Sequence, residues 1–147
     1  MTKIKICGLR REQDIRYANE LMPDYIGFVF LKGKMRYVTF EEAAHLRSLL
    51  DPAIPAVGVF VNEPAENVIR LLQAGTIQIA QLHGQEDEAY AEELRRAGDH
   101  CIIRAFAVRS SEDIHRAFAF PADYPLLDNG KGTGETFDWS LFQEQEK

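Results

Sequence analysis

The stretch Lys3-Ile4-Lys5-Ile6-Cys7-Gly8-Leu9-Arg10 is a short run of alternating and then apolar residues that includes a cysteine near its end. The chain repeats this design several times. Six strand-like runs occur, and each except the last is followed by a helix-like stretch; they begin near Lys3, Asp24, Pro55, Ile77, Cys101 and Tyr124. Strands that alternate with helices in this way predict parallel βα units.

A residue able to bind or react stands at or just beyond the carboxyl end of each apolar run. These residues are Cys7, Arg36, Asn62, His83, Arg104 and Asp128. In parallel α/β folds, this edge of the sheet is where the active site lies. They are therefore the candidate functional residues of the chain.

The composition limits the class of protein. A chain of 147 residues suffices for one domain, spanning residues 1–147, and is too short for two ordinary ones. Its hydrophobic share of 46% and charged share of 27% are ordinary for a soluble globular protein. The net charge of −6 argues against nucleic acid or an anionic membrane as the main partner. The apolar runs have the length of strands, and the first follows the amino terminus directly, so we expect a cytoplasmic protein.

The two cysteines, Cys7 and Cys101, both fall in predicted strands. Their separation follows none of the spacings that are typical of metal ligands, such as CxxC. We therefore expect neither a zinc site nor a disulfide framework.

Local signals predict several helix ends. Thr39 followed by Glu42 is typical of a capping box, which predicts a helix that runs to about Leu50. Ser111 is expected to cap a fifth helix, and the segment from Phe137 to Phe142 predicts the opening of a sixth.

Cys7 and Asp128 are candidates for proton transfer. A thiol at a strand end, before a glycine and ahead of a helix, lies where backbone dipoles favour the thiolate, although an inert buried cysteine fits the same pattern. Asp128 closes an apolar strand and opens a glycine-rich loop. A carboxylate at this position can be explained either by formation of the turn or by a catalytic role.

His83 and Arg36 are candidates for binding. His83 fits a general base, a donor to an anion or a structural histidine, and the residues alone do not separate these roles. Arg36, with Lys32 and Lys34, fits either a clamp for a carboxylate or phosphate or a solvated basic loop. The loop with Gly132, Thr133 and Gly134 lacks the spacing of a P-loop and follows the sixth run, which favours closure over a ligand.

Seven segments, taken in order, carry a resemblance to a known family. They are Lys5 to Leu9, Gly27 to Phe30, Arg36 to Val38, Val57 to Asn62, Gln81 to Gly84, Arg104 to Phe106, and Leu127-Asp128 with Gly132 to Gly134 and Phe137 to Trp139. In order and spacing, these segments resemble the phosphoribosylanthranilate isomerases over essentially the whole chain.

The resemblance implies a (β/α)8 TIM barrel that performs an Amadori rearrangement in tryptophan biosynthesis without metal or organic cofactor. The implied substrate is N-(5-phosphoribosyl)anthranilate, a small phosphorylated molecule. By the same resemblance, Asp128 is the general acid and Cys7 the general base. Arg36 contacts the anthranilate carboxylate, and His83 lines the same pocket.

The family continues through two more βα units, whose glycine-rich turns hold the substrate phosphate. We therefore expect a TIM-barrel type of α/β fold truncated to about six parallel βα units, with the first and last strands as exposed edges. Such edges predict self-association or pairing with a partner chain. One alternative is an inactive or scaffold fragment that needs a partner chain to complete the phosphate site. The other is a doubly wound nucleotide-binding sheet, although Gly8 stands alone where its glycine fingerprint belongs.

Overall fold

The computed structural model describes residues 1–130 and 135–143. Strands and helices alternate along it. The strands are β1 Lys5–Cys7, β2 Tyr25–Val29, β3 Ala56–Phe60, β4 Ile79–Leu82, β5 Cys101–Ala107 and β6 Tyr124–Asp128. The helices are α1 Glu12–Leu21, α2 Phe40–Leu49, α3 Ala65–Gln73, α4 Glu88–Arg96, α5 Ser111–Ala119 and α6 Ser140–Gln143. None of the helices in these residues is long and apolar enough to cross a membrane.

Within the described residues, the strands form one parallel sheet in the order β1-β2-β3-β4-β5-β6. Each strand lies beside the next one in sequence, with Cys7 opposite Gly27 at one end of the sheet and Ala107 opposite Asp128 at the other. A doubly wound sheet reverses its strand order at a switch point, and this sheet does not. The nucleotide-binding alternative is therefore wrong. The expected fold, a TIM-barrel type with six parallel βα units, is confirmed.

Contacts between distant strands show that the sheet is curled. Lys5 on β1 donates a hydrogen bond to the side-chain oxygen of Gln81 on β4. Neighbouring strands lie about 4.8 Å apart, so in a flat sheet these strands would be roughly 14 Å apart, too far for two side chains on one face to bridge. The sheet therefore forms a half-barrel, with Lys5 and Gln81 on its concave face.

The convex face of the half-barrel packs against the helices. Phe28, Phe60 and Leu82 of the sheet are fully buried there, in one cluster with Ile15 of α1 and Leu94 of α4. Burial of each such side chain contributes about 1.5–3 kcal/mol. This apolar layer between the sheet and the helices stabilises the fold.

The two outer strands have no neighbour on one side in the described part of the chain, because β1 and β6 stand at the ends of the strand order. Ile4 and Ile6, at the β1 edge, are 60% and 38% exposed, and Tyr124 at the start of β6 is 56% exposed. The exposed edges expected from the sequence are therefore present.

The predicted helix ends are confirmed at α2 and wrong at α5 and α6. At α2 the Thr39 hydroxyl accepts from the Glu42 N–H, and the Glu42 carboxylate accepts from the Thr39 N–H. At α5 the capping residue is Ser110 and not Ser111, because Ser110 forms the reciprocal bonds with Asp113 and Ser111 is already helical. The sixth helix begins at Ser140 instead of near Phe137.

Candidate active site

Cys7 is the last residue of β1 and is half-buried on the concave face. The Gly8 and Leu9 N–H groups both donate to the carbonyl of Gly27, at 2.9 and 3.1 Å, and this turns the chain from β1 toward α1. A Cβ atom at Gly27 would lie 2.6 Å from Sγ of Cys7. The thiol therefore rests against bare backbone of the neighbouring strand.

Arg36 lies beside Cys7 at the carboxyl edge of the sheet. It is exposed in the turn after β2, next to Tyr37, which forms an isolated bridge with Val29. Its Nη1 donates to the carbonyl oxygen of Cys7 at 3.3 Å. Both residues line a groove of about 640 Å³. The structure thus brings together the thiol and the cation that the sequence singled out.

His83 and Asp128 form a second pair at this edge. His83 follows β4 directly, Asp128 ends β6, and Nε2 of the imidazole lies 3.1 Å from Oδ2 of the carboxylate. Each side chain is about one third exposed, 34% for His83 and 33% for Asp128. The other carboxylate oxygen, Oδ1, accepts from the Gly130 N–H. Both residues line a cleft of about 430 Å³, which is open to solvent.

Two polar residues of the concave face were missed by the analysis of the sequence. Gln81 connects Lys5 to His83, since its Oε1 accepts from Lys5 and its Nε2 lies 3.3 Å from Nδ1 of His83. Burial lowers the pKa of Lys5, and the negative charge of a Cys7 thiolate acts in the opposite direction. The sequence does contain a signal for both residues. Lys5 stands two residues before Cys7, and Gln81 two residues before His83, and strand residues two apart share a face.

Two of the six strand-end candidates bond to the backbone after β4, and one of them, Arg104, also lines the cleft of His83 and Asp128. Arg104 lies within β5, and its guanidinium donates to four backbone carbonyls, three of them between Leu82 and Glu86. Burial lowers its pKa. Asn62 accepts from the Gln85 N–H through Oδ1. Both side chains hold the segment after β4, which also positions His83.

Gly132, Thr133 and Gly134, predicted to close over the site, lie outside the described residues. Close to them, the Asn129 side chain donates to the carbonyl of Glu135. This bond holds the chain on the two sides of the loop together, next to Asp128. The role of the loop stays a prediction.

Comparison with known proteins identifies the family. The family model N-(5'-phosphoribosyl)anthranilate (PRA) isomerase matches residues 4–147. The N-(5'-phosphoribosyl)anthranilate isomerase of Thermoanaerobacter pseudethanolicus is 41% identical over 151 residues, which cover 99% of this chain and 72% of that protein.

Solved structures agree with this match. The crystal structure of phosphoribosyl anthranilate isomerase from Thermus thermophilus aligns with a TM-score of 0.84 at 34% identity, over 97% of this chain and 70% of that one. A second structure is a phosphoribosyl anthranilate isomerase in complex with reduced 1-(o-carboxyphenylamino)-1-deoxyribulose 5-phosphate. It aligns with a TM-score of 0.83 at 32% identity, over 99% of this chain and 70% of that one. The resemblance inferred from the seven segments is confirmed, and this chain belongs to the N-(5'-phosphoribosyl)anthranilate isomerase family.

Proposed function

We propose that this chain catalyses the Amadori rearrangement of N-(5-phosphoribosyl)anthranilate to 1-(2-carboxyphenylamino)-1-deoxyribulose 5-phosphate, a cytoplasmic step of tryptophan biosynthesis. The observation that carries the proposal is that Cys7 and Asp128 end the first and last strands of one half-barrel at its carboxyl edge. Support comes from a family member that binds a reduced form of this ketose product. The reaction moves protons within one molecule, so its demands are an acid, a base and correct orientation.

Asp128 is the proposed general acid. It gives a proton to the ribose ring oxygen while the bond from that oxygen to C1 breaks and the anilino nitrogen forms a double bond to C1. The carboxylate left behind accepts from His83 and from the Gly130 N–H. Both contacts lie on the carboxylate oxygens, where negative charge develops as the proton leaves.

Cys7 is the proposed general base. As a thiolate it takes the proton from C2, and the electron pair of that bond moves toward the imine nitrogen to give an enolamine. The enolamine then gains a proton at C1 and releases the hydroxyl proton at C2, which leaves the ketone. Each positioned acid or base of this kind typically contributes about 10²–10⁴-fold in rate. Lys5 stands two residues before Cys7 in β1, so both side chains share the concave face of the sheet.

Arg36 is the proposed contact for the anthranilate carboxylate. Its guanidinium is exposed and lies within 3.3 Å of the Cys7 carbonyl, so a carboxylate bound to it would hold the substrate beside the thiol. A guanidinium recognises a carboxylate through parallel N–H donors, which orients the bound group. Arg36 therefore acts in binding and orientation and not in proton transfer.

We propose that the substrate phosphate is held by βα units in addition to the six described here. Eight units close a barrel of this type, and the chain spans 72% of the Thermoanaerobacter relative. The test measures turnover of N-(5-phosphoribosyl)anthranilate by the purified chain, alone and with a separately supplied C-terminal quarter of that relative. Turnover only with the added quarter is expected. Equal turnover by the chain alone and by the complemented chain would contradict the proposed phosphate site. No turnover by either sample would contradict the proposed isomerase activity.

The second candidate is a scaffold whose sheet edges pair with another chain. The observation that favours it is the exposed apolar surface near the β1 edge, where Ile4, Ile6 and Leu21 are 60%, 38% and 71% exposed. Such edges are prone to pair with other strands. Sedimentation of the purified chain separates the candidates when combined with the turnover assay. A defined oligomer that stays inactive with the added quarter would support the scaffold.

A further inference from the structure

A continuous row of polar side chains crosses the concave face of the half-barrel. Lys5 of β1 donates to Oε1 of Gln81 in β4. Nε2 of Gln81 lies 3.3 Å from Nδ1 of His83, and Nε2 of His83 lies 3.1 Å from Oδ2 of Asp128. The row therefore begins on the strand that carries Cys7 and ends on the carboxylate at the end of β6.

The chemistry of Lys5 sets the direction of every bond in this row. An ammonium group is only a donor, so the amide atom that faces it has to be the oxygen of Gln81. The amide nitrogen then faces His83, and because an amide nitrogen only donates, Nδ1 of His83 has to accept. A neutral imidazole that accepts at Nδ1 carries its proton on Nε2. That proton points to Asp128.

The surroundings of Gln81 keep the amide from turning over. Its side chain is buried, with a residue exposure of 4%, between the apolar strand neighbours Val59 and Ile103. A flipped amide would present its nitrogen to the Lys5 ammonium and its oxygen to His83. The contact between Gln81 and Lys5 would then place donor against donor, which a buried site does not tolerate.

We propose that Lys5 and Gln81 are positioning residues that hold His83 as the Nε2–H tautomer, so that it donates to Asp128. In this tautomer, His83 stabilises the carboxylate that remains when Asp128 has released its proton. In the opposite tautomer, a lone pair of the ring would face that anion and repel it. The catalytic part of the inference rests on the proposed function of Asp128, whereas the tautomer is a property of the folded chain alone.

The first test is the tautomer of His83 in the unmodified chain. Nitrogen-15 labelling of histidine and long-range proton–nitrogen correlation spectra, at about pH 8 where an ordinary imidazole is neutral, distinguish the two forms. The His83 signals are assigned by their loss in His83→Asn. We expect the proton on Nε2. A proton on Nδ1 in the unmodified chain would overturn the proposal whatever the variants do.

The second test replaces members of the row by side chains of similar size with different hydrogen-bonding groups. Gln81→Glu replaces the amide N–H group by a carboxylate oxygen, which can only accept, so we expect the His83 proton to appear on Nδ1. Lys5→Met removes the donor that orients Gln81 and is expected to give a mixture of tautomers. Lys3→Met is the matched control, since Lys3 is exposed, bonds to the Tyr25 hydroxyl and lies outside the row. A His83 tautomer that is unchanged in both row variants would overturn the proposal.

The third test asks whether the row acts on the reaction. In the complemented turnover assay, Gln81→Glu is expected to lower kcat by about 10²-fold, the loss typical of a misplaced catalytic group, with KM little changed. Lys3→Met should retain full activity. A tautomer change with unaltered kcat would contradict the positioning role. If the unmodified complemented chain proves inactive, the isomerase proposal fails, and the spectra still decide the tautomer.

Discussion

A Cβ atom at position 27 would lie 2.6 Å from Sγ of Cys7 and 3.2 Å from its Cα. The cause is the register of the sheet, in which Cys7 and Gly27 are direct partners across β1 and β2. In a parallel pair, partnered residues point to the same face. The thiol can therefore occupy its place only because its neighbour has no side chain.

We predict that Gly27→Ala lowers kcat by about 10²-fold, because the methyl group displaces the thiol from its position over the substrate. Complemented turnover measures the loss, and thiol alkylation rates report the new environment of Cys7. The control is Gly75→Ala after α3, where a Cβ meets no atom within 4 Å. Its positive φ of 74° makes alanine cost about 1–2 kcal/mol of stability without a loss of kcat. Equal kcat for Gly27→Ala and the unmodified chain would refute the steric argument.

Arg36→Ala is predicted to raise KM by about 10–100-fold and to leave kcat within a few-fold, since a charge-assisted bond contributes about 1.5–3 kcal/mol to binding. Steady-state kinetics with the complemented chain separates the two constants. Arg70→Ala, an exposed arginine of α3 that pairs with Glu66, is the control for loss of one positive charge. A reduced kcat at unchanged KM would argue against the assigned role.

Arg104→Met is predicted to lower the free energy of unfolding by about 2–4 kcal/mol, because four backbone carbonyls lose their shared donor. Methionine keeps an apolar stem near the ring of Phe106, over which the guanidinium lies at 5.0 Å. Urea denaturation measures the change. Arg96→Met is the control, since that side chain is 76% exposed and pairs only with Glu92 of its own helix in the described residues. Equal effects of the two substitutions would disprove the structural role.

Asp113 makes the stability of α5 depend on pH. The Arg109 N–H above all, and then the Arg116 and Ser110 side chains, lower the pKa of Asp113 to about 2 from 3.8. Because the folded value is the lower one, the carboxylate stabilises the folded chain above about pH 4, and this contribution is lost as the pH falls toward 2. Asp113→Asn should therefore be less stable at neutral pH and lose less stability in acid. Thermal melting at several pH values measures both, with Glu112→Gln as the control. Parallel pH profiles for Asp113→Asn and the unmodified chain would contradict this account.

Much of the fold could be predicted from the sequence because its signals are local. Alternation of apolar residues marked the strands, and the residues just after them, such as Cys7, His83 and Asp128, had to meet at one edge once the strands were parallel. The capping box at Thr39 needs only residues within one turn of the helix. At α5, adjacent Ser110 and Ser111 carry the same hydroxyl, so only the observed bond to the Asp113 N–H identifies the cap.

The contacts that escaped prediction depend on the curvature of the sheet. Lys5 and Gln81 are 76 residues apart and meet across the concave face only when the strands curl toward each other. Arg104 illustrates the other difficulty, because it lies in the middle of β5, yet its guanidinium reaches the segment after β4 and binds backbone carbonyls beside the cleft. Alternation along one strand predicts which face of the sheet a side chain occupies. The residue that it contacts on a distant strand depends on the curvature of the whole sheet.

The central claim is that Cys7 and Asp128 each perform one proton transfer. The most direct measurement is the turnover of N-(5-phosphoribosyl)anthranilate by the complemented chain and its variants Cys7→Ser and Asp128→Asn, with thermal melting to confirm that each variant folds. Each substitution is predicted to lower kcat by about 10²–10⁴-fold while the fold is retained. A folded Cys7→Ser or Asp128→Asn variant with a kcat near that of the unmodified chain would contradict the claim.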